Sequence, residues 1–140
     1  MPQKEIELPR YLVNKVLHLA QVSDQQEVCG FIGKSTEGKY SCYPVKNIAE
    51  TPNVRFLMSP EEQINSLKEV RSNDEELFAI YHSHPSAPAI PSASDMEQAT
   101  YSDAYYLIIS LNTAGVLEMR GFKLLHDENI VEINIRMIED

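Results

Sequence analysis

Apolar positions along this chain follow two rhythms. Leu8, Leu12, Val13, Val16, Leu17 and Ala20 recur at an approximately helical spacing, which predicts an N-terminal helix closed by "SDQQ". Beyond it the apolar residues gather into short runs bounded by turn residues, the signature of strands. "EVCGFIGK" and "KYSCYPVKNI" are two such runs, with "STEG" as the hairpin turn before the second, and "VRFLMS" predicts a third short strand. Ser59-Pro60-Glu61-Glu62 marks a helix start: Ser59 caps, Pro60 suits the first helical position, and Glu62 completes a capping box. Ile64, Leu67 and Val70 supply that helix's buried face. "ELFAIYHSH" is a strand ended by Pro85, and Ser92 or Ser94 opens a further helix through "DMEQATYS". "AYYLIISL", "VLEMRGFKLL" and "IVEINIRMI" are strands separated by "NTAG" and "HDEN" turns. No repeat, low-complexity tract or linker divides the chain. The pattern predicts a single α+β domain over residues 1–140, a curved mixed or mostly antiparallel sheet flanked by helices.

Composition narrows the classes. A chain of 140 residues, 43% hydrophobic and 24% charged, has the balance of a soluble globular domain. "AYYLIISL" is far short of a membrane span, and "MPQKEIELPRYL" has no apolar signal-peptide core, so a cytoplasmic location is expected. A net charge of −9 with singly scattered Lys and Arg argues against nucleic acid as a partner. Cys29 and Cys42 are too few for a disulfide framework or a cysteine-only zinc site and read as buried thiols.

The chemistry concentrates in "HSHPSAPAIPSASD". Alternate residues of a strand share a face, so His82 and His84 can turn their rings to one ion. Asp95, in the first turn of the following helix, is the nearest well-placed carboxylate for a third ligand, and Pro85, Pro88 and Pro91 stiffen the loop between. Three protein ligands leave a fourth position for water, the pattern of a catalytic zinc site, and Glu27 at the start of the first strand is a candidate base. Taken alone, His-x-His on a strand is equally read as one surface and one space-filling residue, and Glu27 as a solvated charge; spacing leaves these open. Gly30 permits a close approach of backbone or substrate. Phe31, Ile32 and most methionines read as core, His18 and His126 as non-ligands, and Glu97 as a helix-surface charge.

His82, His84, Pro85, Ser92 and Asp95 meet, without a gap, the pattern His-x-His-Pro, six residues, Ser, two residues, Asp. "EVCGFIGK", upstream, resembles the strand that carries a catalytic glutamate in the same family. With these motifs the chain resembles the JAMM, or MPN-domain, zinc metallopeptidases over nearly its whole length, in a small prokaryotic form with a cytidine-deaminase-like architecture. The resemblance implies one zinc ion per chain held by His82, His84 and Asp95, with Glu27 as general acid/base and Ser92 stabilising the tetrahedral intermediate. Ser92 also reads as the N-cap of its helix. The implied activity is hydrolysis of a peptide or isopeptide bond after the C-terminal glycine of a ubiquitin-like or sulfur-carrier protein. The tail would lie extended along a sheet edge, for which residues 53–59 are the expected site. Little room follows Asp95 for the insertions of chain-selective deubiquitinases. The alternatives are a non-catalytic scaffold of the same fold and a zinc amidohydrolase acting on a small molecule; a deaminase would need Pro-Cys-x-x-Cys ligands, which are absent. Exposed edge strands are compatible with a homodimer.

Overall fold

The computed structural model describes residues 4–101, 103–112, 117–125 and 129–139. In chain order the elements are β1 (Glu5–Pro9), α1 (Arg10–Val22), β2 (Cys29–Ser35), β3 (Tyr40–Val45), α2 (Pro60–Ser72), β4 (Glu75–His84), α3 (Ala93–Glu97), β5 (Tyr105–Ser110), β6 (Glu118–Leu124) and β7 (Ile130–Ile138). The strands form one seven-stranded sheet in the order β1-β7-β6-β5-β4-β2-β3. It is mixed: β1 with β7 and β4 with β5 are parallel, and the other neighbours are antiparallel.

Both faces of the sheet are covered, which explains why its central strands are nearly continuously apolar. Leu12, Val16 and Ala20 of α1 pack with Ile32, Ala79, Tyr81, Leu107, Ile109 and Ile133 on one face. Val70 of α2 joins Phe31, Ile80, Tyr106, Ile108 and Phe122 on the other. The period of two in β4 therefore sends Ala79 and Tyr81 to the α1 side and Ile80 to the α2 side. His82 and His84 follow Ile80 to the α2 side, at the C-terminal end of β4, where the chain leaves for the crossover to parallel β5.

The helical rhythm of the N-terminus contained a strand. Leu8 lies on β1, fully buried, and α1 begins only at Arg10. Its apolar position satisfies a strand facing the core as well as a helix turn, and parallel pairing with the distant β7 decides between them. "VRFLMS" is not a strand; only Met58 makes an isolated bridge, to Asn47. Residues 53–59 are consequently no sheet edge, and the outer strands are β1 and β3. The "STEG" turn is as expected, with Gly38 at a positive φ of 83° joining β2 to β3. Ser59 caps α2 by accepting the Glu62 N–H, but the Glu62 carboxylate accepts from the Lys46 N–H instead of closing the box. Ile64 is 55% exposed, so Ser66, Leu67 and Val70 turn inward without it. The last predicted helix stops at Glu97, well short of "ATYS". Among the methionines Met58 is buried, Met96 and Met119 are partly buried, and Met137 is exposed. The predicted "NTAG" and "HDEN" turns fall largely outside the described residues, as does His126.

Gly30 is a point of close approach, but by the protein itself. A Cβ there would lie 2.5 Å from the Tyr43 carbonyl oxygen and 2.5 Å from the Tyr81 hydroxyl. Gly30→Ala is expected to lower unfolding stability by about 1–3 kcal/mol through overpacking. A lower midpoint of urea denaturation at unchanged slope would show it; an unchanged midpoint would mean that Tyr81 moves aside freely.

Candidate metal centre

Four buried side chains converge where β4 ends. Glu27, His82, His84 and Asp95 each offer one donor atom, and these atoms lie within 4.8 Å of one another. Three elements supply them. His82 and His84 come from the last residues of β4. Glu27 precedes β2, whose antiparallel register sets Cys29 opposite His82; Ser83 N–H bonding to the Val28 carbonyl continues that ladder and brings Glu27 level with His84. Asp95 sits in the first turn of α3, fixed by a reciprocal cap. The Asp95 N–H donates to Ser92 Oγ (3.1 Å) and the Ser92 N–H donates to Asp95 Oδ2 (2.8 Å). The crossover loop is itself anchored, with Ser110 Oγ donating to the Ala87 carbonyl (2.7 Å) and the Leu111 N–H to the His84 carbonyl (3.1 Å).

The donor triangle is regular. His82 Nε2, His84 Nε2 and Asp95 Oδ2 are each 3.1 Å from the other two. Donors bound at about 2.0–2.2 Å in a tetrahedron stand roughly 3.3–3.5 Å apart, so these three fit a small divalent cation with movements of a few tenths of an ångström. Hydrogen bonding gives a second argument. His84 Nδ1 lies 2.7 Å from the Pro88 carbonyl, which can only accept, so Nδ1 carries the proton. In the neutral ring Nε2 is then a bare lone pair aimed at a carboxylate oxygen and at a second imidazole. A shared cation, or an added proton, is what makes that arrangement favourable. Backing one imidazole nitrogen with a carbonyl while the other faces the metal position is how metal-binding histidines are commonly oriented. The Phe56 ring packs against His82 at 4.5 Å between centroids and fixes its tilt.

Burial sets the proton affinities. It raises the Glu27 carboxyl from 4.5 to about 7, with His84 and Arg55 opposing the shift and Asp95 adding to it. Burial likewise opposes charge on Asp95, but hydrogen bonds to His82 and His84 outweigh it and hold this carboxyl well below the usual range. Burial lowers His82, while on His84 the Asp95 and Pro88 contacts overcome burial and raise it. Glu27 is 4% exposed, and its Oε1 has no hydrogen-bond partner. It is buried, so the reading of a surface charge at a strand entrance fails. Burial also pushes the Cys29 thiol up to about 12, so it is an inert group that donates to the Val45 carbonyl. His18 is exposed on α1, away from the cluster.

The spacing of "HSHPSAPAIPSASD" identified three of these residues. It gave no sign of Phe56 or of Asn47, whose side chain bonds the Glu27 carbonyl (3.0 Å), because both act through contacts between distant segments; the Pro88 carbonyl lies within the stretch, four residues from His84, but its bond depends on the fold of the loop.

With this geometry in view, residues 9–122 match the family of prokaryotic homologs of the JAB domain, and the chain belongs to that family. A desampylase of Pyrococcus furiosus is 30% identical over 91% of this chain and 87% of its own length. A desampylase of Haloferax volcanii is 35% identical over 60% of this chain, a match covering 62% of that protein. The CysO-cysteine peptidase of Mycobacterium tuberculosis is 26% identical over 91% of this chain and 88% of its own. Among solved structures, protein DSY2949 of Desulfitobacterium hafniense superposes with a TM-score of 0.81 at 29% identity, covering 96% of this chain and 93% of that one. AF2198 of Archaeoglobus fulgidus, a JAB1/MPN domain protein, shares the fold at a TM-score of 0.56 and 16% identity, covering 93% of this chain and 98% of that one.

In metal-free protein the Glu27 side-chain carboxyl is expected to titrate near pH 7, read by carbon NMR; a midpoint below 5 would contradict its burial. The sign for stability follows. Glu27 binds its proton more tightly folded than unfolded, so its contribution is complete below about 4.5 and is lost as pH rises to about 7. Asp95 acts oppositely, contributing above 3.8 and losing its contribution as pH falls. Glu27→Gln should flatten the decline between pH 4.5 and 7 in urea-melt stability of the metal-free protein.

Proposed function

We propose that this chain is a zinc-dependent hydrolase that cleaves the amide bond after the C-terminal glycine of a ubiquitin-like or sulfur-carrier protein. The observation that carries the reading is the 3.1 Å triangle of two imidazole nitrogens and a carboxylate oxygen with an unpartnered, proton-hungry glutamate beside it. The names of the relatives, desampylase and CysO-cysteine peptidase, support the substrate class. His82, His84 and Asp95 are the proposed ligands of one zinc ion per chain. When bound, the ion supplies Lewis acidity toward the scissile carbonyl and an acidified water.

The chain's own groups then divide the proton work. Glu27 Oε1 takes a proton from the attacking water and delivers it to the nitrogen of the leaving amine, so no net proton is gained or lost by the protein. Burial raises this carboxyl above the ordinary carboxylate range, the direction that suits a group that must both accept and return a proton. Ser92 Oγ accepts the Asp95 N–H, which leaves its own hydroxyl hydrogen free. That hydrogen is proposed to meet the carbonyl oxygen as negative charge develops there. Capping and catalysis are thus compatible in one hydroxyl.

The tail is proposed to lie in the groove of about 490 Å³ between residues 49–57 and α3, lined by Arg55, Phe56, Leu57, Ser94, Glu97 and Gln98. Among the described residues no helix is long and apolar enough to cross a membrane.

The test is a ubiquitin-like domain ending in Gly-Gly, amide-linked to a fluorogenic amine. Zinc-loaded protein should release the fluorophore and chelated protein should not; inertness across several such carriers, with zinc bound, would overturn the proposal. His84→Ala should lose zinc and activity together. Glu27→Gln should keep zinc by elemental analysis while kcat falls about 10²–10⁴-fold. A scaffold would show no turnover in the parent protein and no difference between these variants. Ser92→Ala should retain zinc, lose kcat about 10²–10³-fold, and lose about 1 kcal/mol of stability with its cap. A stability loss with unchanged kcat would leave Ser92 only its capping role.

A further inference from the structure

The glutamate's main chain is held by a loop, not by the sheet. Its N–H donates to the Pro52 carbonyl at 2.7 Å, and its carbonyl accepts from Asn47 Nδ2 at 3.0 Å. Asn47 follows β3, far from Glu27 in sequence, and uses every hydrogen-bonding position of its amide. Nδ2 also donates to the Arg55 carbonyl (3.1 Å), and Oδ1 accepts the N–H groups of Ala49 (3.0 Å) and Leu57 (3.0 Å). An asparagine amide offers two donors and two acceptor sites, so this one is saturated. The same loop carries Phe56, packed on the His82 ring, and its Phe56 carbonyl is held from the other side by Gln98 (2.7 Å). One side chain therefore ties together the backbone of Glu27, both ends of the 49–57 loop and, through Phe56, the ring of a metal-position histidine.

We infer that Asn47 is a positioning residue: its carboxamide fixes the distance of the Glu27 carboxylate from the metal position by clamping the Glu27 carbonyl to the 49–57 loop. This rests on the hydrolase reading above. Glu27 stands outside the regular ladder of β2, which begins at Cys29, and its buried Oε1 has no hydrogen bond to orient it. Its placement is inherited from its main chain. Asparagine is required because two carbonyls must be met by N–H groups while two amide N–H groups are met by an oxygen. Aspartate has the same shape and keeps the acceptor half, but turns an oxygen toward the Glu27 and Arg55 carbonyls.

The experiment compares the parent protein with Asn47→Asp, and with Asn47→Ser, which is smaller and cannot clash, if the first does not fold. On the fluorogenic Gly-Gly conjugate, kcat should fall about 100-fold, as for a misplacement of about 1 Å, with KM unchanged within about twofold. Zinc content should stay at that of the parent. In the metal-free variant the Glu27 carbonyl carbon shift, read by NMR, should move as its bond from Asn47 Nδ2 is lost, while the Ala49 and Leu57 amides stay protected from hydrogen exchange in Asn47→Asp. Retained kcat with zinc bound would overturn the inference, as would loss of kcat in step with lost zinc or raised KM, which would make Asn47 a general brace of the loop. If the parent protein is inert toward the conjugate, the hydrolase reading fails by itself, and an unaltered Glu27 carbonyl shift in the variant would separately refute the clamp.

Discussion

Two imidazole lone pairs and a carboxylate, turned toward one buried point, repel one another unless positive charge lies between them. That constraint governs this fold. Removing three such groups from water is costly, and it is recovered only if a cation or a proton is shared among them. The backing of His84 Nδ1 by the Pro88 carbonyl commits the other nitrogen to the shared point, and the cap at Ser92 commits Asp95. Both side chains are thus oriented by the protein's own bonds, which lowers the ordering entropy that would oppose binding of a cation.

The rest of the architecture supplies rigidity around that point. Parallel pairing of β4 with β5 forces a crossover exactly where the histidines end, and that crossover returns Asp95 to the same place. Helices on both faces exclude water from the sheet, and the same exclusion raises the Glu27 carboxyl into the range where it can exchange protons at neutrality. Burial that makes the two imidazoles and Asp95 demanding also raises the proton affinity of the glutamate. The two effects have a single origin in the packing of α2, the 49–57 loop and the end of β4.

That loop has no regular structure, yet it holds the glutamate's main chain and the His82 ring together. Its order comes from a saturated asparagine and a glutamine rather than from a ladder. A segment of this kind can line an open groove and still be fixed, since its backbone groups are bonded inward. It leaves the groove open without loosening the hold on Glu27 and His82.

Local chemistry determined much of this from the sequence. Alternation along "ELFAIYHSH" put His82 and His84 on one face; Pro85 ended the strand; Ser92 and Asp95 announced a capped helix; and the family pattern joined them to Glu27. Each of these depends on neighbours within a few residues, or on a motif with fixed spacing. What the sequence could not decide were matters of partner and register. Leu8 fitted a helix until β7 paired with its strand, and "VRFLMS" had the composition of a strand but found only a bridge at Met58. Glu27 reads as a solvated charge until β2 slides into register against β4 and buries it opposite His84. Asn47 gave no local sign of its role: its bond from Ala49 is an ordinary turn contact two residues on, and the other three reach residues brought near only by the folded chain. Periodicity and capping are written in adjacent residues; burial, register and long-range hydrogen bonds exist only once the tertiary structure has formed.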